Sequence, residues 1–114
     1  MNRLQLVGKL VWPVEVEREP VTGLSVAKAM VAVSNDDDVT GIDFIPVTLR
    51  DNEAIDASNY LGDGSLIAID GRVHSKLVTD RYARGVRRTR RVLSVTVDRV
   101  TYLVVRQPGS GARP

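Results

Sequence analysis

The sequence predicts an all-β protein in which five strands close into a small barrel, with one short helix between the third and fourth strands. Three observations carry this. Along residues 42–50, Ile45, Val47 and Leu49 point one way and Phe44, Thr48 and Arg50 the other. That period of two belongs to a strand with one face in a core and one face open. Residues 65–73 alternate again, with Ile67, Ile69, Gly71 and Val73 toward the core and Asp70, Arg72, His74 and Lys76 outward. Between them Ala54, Ile55, Ala57, Ser58 and Leu61 recur at helical spacing, with Asp51 placed to cap the helix and Gly62 to stop it.

The remaining elements follow in chain order. Residues 2–11 form strand one, with Leu4, Leu6, Gly8 and Leu10 inward and Arg3, Gln5, Val7 and Lys9 outward. Gly8 allows a bend or the close approach of another backbone. Trp12-Pro13 ends or kinks this strand, which can resume through Glu15, Glu17 and Glu19 as an acidic edge; Trp12 is expected at the barrel end or an interface. Pro20 to Gly23 is a turn, and strand two runs from Leu24 to Ser34. A loop beginning Asn35-Asp36-Asp37-Asp38 leads to strand three at Ile42. Pro46 removes a ladder donor, so strand three is expected to bulge there or to lie at an edge. Strand four runs from Ser65 to Thr79, Asp80 to Gly85 turns a hairpin, and strand five runs from Val86 to Val104 with Leu93, Val95 and Val97 inward. Five strands with a helix between the third and fourth make the OB pattern, a barrel used for oligonucleotides. The OB-fold domain is expected over 1–105, and the Gly/Pro/Ser-rich stretch through Pro114 is expected to form a disordered tail over 106–114.

Composition narrows the function. A chain of 114 residues is one domain with a modest core. With no cysteine there is no disulfide framework and no cysteine-based zinc site, and a lone His74 excludes a histidine cluster. Asp36-Asp37-Asp38 lacks the spaced ligands of a calcium loop and reads as a solvated turn. No Ser/His/Asp set, phosphate loop or catalytic carboxylate pair emerges, so neither catalysis, a metal nor a cofactor is expected. No apolar run is long enough for a membrane span, and the expected location is the cytoplasm. The net charge of +2 conceals a division: residues 1–70 carry −7 and residues 71–114 carry +9. The basic part calls for an anionic partner, or for the acidic part of another copy.

Arg81, Arg84, Arg87, Arg88, Arg90 and Arg91 fall around one hairpin. The planar guanidinium donates paired hydrogen bonds to phosphate, and a basic hairpin can clamp a nucleic-acid backbone. On the open face of strand three, Phe44 is placed to stack a base or to pack at a subunit contact, and Arg50 to meet phosphate or to pair with Asp51 or Glu53. Tyr82 offers a second ring. Arg3, Lys9, Thr48, Arg72, His74 and Lys76 complete the candidate DNA-binding set.

Residues 1–10, Phe44 to Leu49, Ala57 to Leu61, Gly64-Ser65-Leu66 and Asp70-Gly71-Arg72-Val73 resemble the bacterial single-stranded DNA-binding proteins, the SSB family, over residues 1–104. The resemblance implies sequence-independent binding of single-stranded DNA in replication, recombination or repair, a homotetramer, and association with the nucleoid. Of the family's stacking aromatics only Phe44 stands at its position; Arg50 and Val78 replace two others, and the fourth falls in the loop at Asp36 to Asp38. The family's acidic C-terminal tip is replaced by a basic end at Arg113-Pro114, so the chain looks like a short paralogue that does not recruit other replication proteins through such a tip. The alternative is an OB-fold interaction module similar to primosomal replication protein N, which assembles replication proteins. A small nuclease lacks a visible site.

Overall fold

The computed structural model describes residues 1–37, 39 and 41–108, except the side chains of Trp12 and Pro13. The expectations for Trp12, Asp38 and the last six residues lie outside the described residues. The elements are β1 (Leu4–Arg18), β2 (Ser25–Ser34), β3 (Ile42–Arg50), α1 (Asp51–Tyr60), β4 (Leu66–Arg81) and β5 (Arg87–Val104), with a single 3-10 turn at Ala83–Gly85. The strands close a barrel in the order β1-β2-β3-β5-β4, the OB arrangement. All pairings are antiparallel except β3 with β5, which meet in parallel only at Val47↔Val95 and Thr48↔Thr96.

The interior is built from the inward positions of that alternation. Leu10, Val31, Val47, Leu49, Ile67, Ile69, Val95 and Val97 are buried, together with the small Ala27 and Ala29 of β2. Helix α1 closes one end with Ala54 and Ala57, and Leu61 follows them into the core. Three glycines, Gly8, Gly62 and Gly71, are required by close backbone approach. A methyl group on Gly8 would overlap the Ala32 carbonyl, and one on Gly71 would overlap the carbonyl of Thr96. Asn2 extends the β1–β4 ladder with its side chain: its amide donates to the Val73 carbonyl (2.6 Å), and the Val73 N–H donates back to Oδ1 (2.9 Å).

Two open expectations are decided and two change. Strand one does resume after Trp12-Pro13, as a single β1 whose register shifts between Val11 and Glu15. Pro46 causes no bulge: β3 pairs with β2 without interruption from Ile42 to Arg50, and its other edge is paired only at Val47 and Thr48. Asp51 does not cap the helix. The cap position falls on Arg50, which makes no side-chain cap, and Asp51 takes φ 56° at the sharp strand-to-helix junction. Leu93 is not inward but 66% exposed. It shares parity with Val95 and Val97, but it pairs with Ser75 where the β4–β5 hairpin has already left the barrel, so no core faces it.

Arg106, the first residue of the expected tail, is hydrogen-bonded to the barrel. The Arg106 carbonyl accepts from the Gly62 N–H (2.6 Å) and from Ser65 Oγ (3.1 Å), and the Arg106 N–H donates to that same Oγ (3.0 Å). These bonds give Ser65, which is fully buried, its partners.

Candidate nucleic-acid interface

Register places the candidate residues in rows across the outer face. Lys28 pairs with Thr48, Thr48 with Thr96, and Thr96 with Arg72. In antiparallel and parallel neighbours alike, paired residues project from the same face, so this row runs β2-β3-β5-β4 without a break. One step along the hairpin His74 lies opposite Ser94, and one further Lys76 lies opposite Val92. These residues, with Pro46 and Arg50, line one groove of about 510 Å³. Buried Thr96 forms part of its floor, and exposed Arg50, Arg72, His74 and Lys76 stand around it. Thr48, Arg50, Arg72, His74 and Lys76 are therefore brought together. Lys28, Ser94 and Thr96 join them. Lys28 was legible as the lone cation of an Ala- and Val-rich strand; Thr96 needed the register.

Phe44 projects from the same face of β3 and is 60% exposed. Its row runs through Ala32 to Lys9, so the ring has a methyl group beside it and an ammonium one strand further. Arg3 lies apart, in a separate recess of about 530 Å³ that Arg72 also borders.

The cations are not equivalent. Arg72 holds Asp98 through Nε (3.2 Å to each carboxylate oxygen) and Nη2 (3.0 Å). Asp98 is the extra residue of the β5 bulge opposite Asp70-Gly71. Both side chains are about half exposed, and such a pair contributes only about 0–1 kcal/mol, so a phosphate can compete for the guanidinium. Arg3 approaches Asp70 at 3.7 Å. In the hairpin, Arg90 Nε donates to Asp80 at 2.7 Å; that hydrogen bond, and then the carboxylate's charge, raise the Arg90 pKa further above its ordinary value. Arg91 donates to Ser75 Oγ (3.3 Å). Arg81, Arg84, Arg87 and Arg88 are exposed and make no side-chain hydrogen bond or ion pair among the described residues. Tyr82 is exposed beside them, its N–H bonded to the Val86 carbonyl (2.8 Å) to close the turn. The turn needs positive φ at both Arg84 (66°) and Gly85 (72°).

The helix side of the barrel has the opposite character. Glu53, Asp56, Tyr60 and Tyr102 line a shallow recess there. Burial raises the pKa of the Tyr102 hydroxyl, and the charges of Asp56 and Glu53 raise it further. A phosphate has no reason to settle on that side.

Comparison with known proteins agrees with this geometry. The model of the Single-strand binding protein family matches residues 1–103. The chain is 34% identical over 106 residues to the Single-stranded DNA-binding protein of Clostridium tetani, covering 90% of this chain and 70% of that relative. It is 34% identical over 107 residues to Single-stranded DNA-binding protein 1 of Staphylococcus aureus (strain COL), covering 90% of this chain and 61% of that one. In fold it is similar to the crystal structure of the mitochondrial single-stranded DNA binding protein Rim1 from S. cerevisiae, with a TM-score of 0.68 at 13% identity over 90% of this chain and 95% of that one.

Proposed function

Because the chain belongs to the single-strand binding protein family, we propose that it binds single-stranded DNA without sequence preference, through phosphate contacts from the groove and the basic hairpin and through stacking on Phe44. The observation that carries this is the continuous outer row Lys28–Thr48–Thr96–Arg72 with an exposed ring on the same face. Cations follow the backbone and a ring takes the face of any unpaired base. Neither element reads a particular base edge, so sequence preference is not expected.

No step of this needs catalysis. Among the described residues no group of three His, Cys, Asp or Glu could hold a metal ion, and no helix is long and apolar enough to cross a membrane. The working place of such a protein is the cytoplasm, with the nucleoid, in replication, recombination or repair. The interaction-module alternative is not favoured, since the matching family and the relatives named above are described by single-strand binding.

Replacing Phe44 by Ala should weaken binding to oligo-dT by about 1–3 kcal/mol, the worth of one stacked base. Fluorescence anisotropy measures this; a loss under about 0.5 kcal/mol would assign the ring to a subunit contact instead. The protein is also expected to be a homotetramer. Val7 is 55% exposed on the outer face of β1, with half-buried Val11 on that same face, and a small barrel gains by covering such a strip. Light scattering at micromolar concentration should give four times the chain mass, and a monomer mass would refute the assembly.

A further inference from the structure

The outer face changes sign along β1. At one end Lys9 stands in the row of Phe44. At the other, beyond the register shift, Glu15 lies opposite Lys28 and Glu17 opposite Val26, on that same face. Glu17 and Glu19 line a recess of about 210 Å³ together with Thr48 and Arg50. Glu15, Glu17 and Glu19 are exposed, and none belongs to an ion pair among the described residues. Lys28, opposite Glu15, and Arg50, in one recess with Glu17 and Glu19, offset part of this charge without a direct ion pair.

Magnitudes decide how far this reaches. Neighbouring strands lie about 4.8 Å apart, so Glu15, two strands away, is about 10 Å from the Thr48 position. The screening length at 0.1 M salt is about 10 Å. The carboxylates thus act most on the Thr48–Arg50 end of the groove, where Glu17 and Glu19 share a recess with both residues. Phe44 lies four residues back along β3, about 13 Å from Thr48 and further from the carboxylates.

Resting on the proposed single-strand binding, we infer that a bound strand crosses β1 beside Lys9 and Phe44 and is turned away from the Glu15–Glu19 end. Lys9 and the three glutamates are then specificity-determining residues for the path. They fix where DNA leaves the groove, and Arg50, whose field is offset by Glu17 and Glu19, contributes less to phosphate binding than its exposure suggests.

The test compares the full chain with its Glu15→Gln/Glu17→Gln/Glu19→Gln variant on oligo-dT of about 8 and about 30 nucleotides, lengths within and beyond one OB site. The variant should bind the long oligomer about tenfold more tightly, the scale of one or two added phosphate contacts, and the short one less than about threefold more tightly. Lys9→Gln should weaken the long oligomer selectively. A spin label on the end of the long oligomer gives a reading that needs no variant: in the wild type it should broaden amide resonances near Lys9 and spare those of residues 15–19. Equal gain at both lengths, no gain, or broadening at residues 15–19 overturns the path. If wild type still prefers oligo-dT to duplex in any of those cases, the proposed function stands without it; if that preference is absent, the proposed function itself has failed.

Discussion

Replacing Arg84, Arg87 and Arg88 together by Ala should lower affinity for oligo-dT about 100-fold at 0.1 M salt relative to the loss at 1 M. These side chains are exposed at the hairpin tip and have no protein partner among the described residues, whereas Arg90 is committed to Asp80 and Arg91 to Ser75. Each phosphate neutralised on single-stranded DNA contributes about −0.7 to the slope of log affinity against log salt. With four to six contacts the wild-type slope should be about −3 to −4, and the triple variant should be shallower by about 2. Anisotropy across a salt series measures both. Circular dichroism should show an unchanged fold, because the hairpin lies beyond the barrel. An unchanged slope would make the cluster a solvated hairpin or a site for an acidic protein.

Ile69→Ala should destabilise the protein by about 2–5 kcal/mol, through lost burial and the cavity left behind. Ile69 is 2% exposed and lies in register with Leu6 on one side and Val100 on the other, so neighbours on both strands hold the cavity open. Set against a total stability of about 5–15 kcal/mol, this is a large fraction. Leu93→Ala is the matched control. Its side chain is 66% exposed beyond the barrel, and the expected cost is under about 0.5 kcal/mol. Urea unfolding followed by circular dichroism distinguishes them; equal costs would return Leu93 to the core.

The contrast between Ile69 and Leu93 shows what the sequence could and could not convey. Alternation assigned β3 and the inner half of β4 correctly because a core lies under every second residue there. The same parity continues through Leu93 and Leu77, but both are exposed, since no sequence period marks where a hairpin leaves its barrel. Asp51 has the chemistry of a helix cap, yet the chain turns too sharply at φ 56° for it to serve as one. The candidate cations were legible one by one. Their grouping was not: Lys28, Thr48, Thr96 and Arg72 come from four strands, and only register joins them. Ion pairing was equally hidden. Arg72 with Asp98 and Arg90 with Asp80 are distant in sequence and adjacent across the β4–β5 ladder, which separates these arginines from the unpaired ones at the tip.

The central claim is that the groove and ring accept unpaired nucleic acid. Its most direct test is competition by anisotropy between labelled oligo-dT and an unlabelled duplex of the same length and salt. A duplex satisfies the phosphate contacts but keeps its bases stacked and paired, out of reach of Phe44. The account predicts that unlabelled single strand displaces the probe at concentrations at least about fivefold below those of duplex, the lower end of the worth of a stacked base. Equal displacement by the two would contradict it, leaving a surface that attracts phosphate alone.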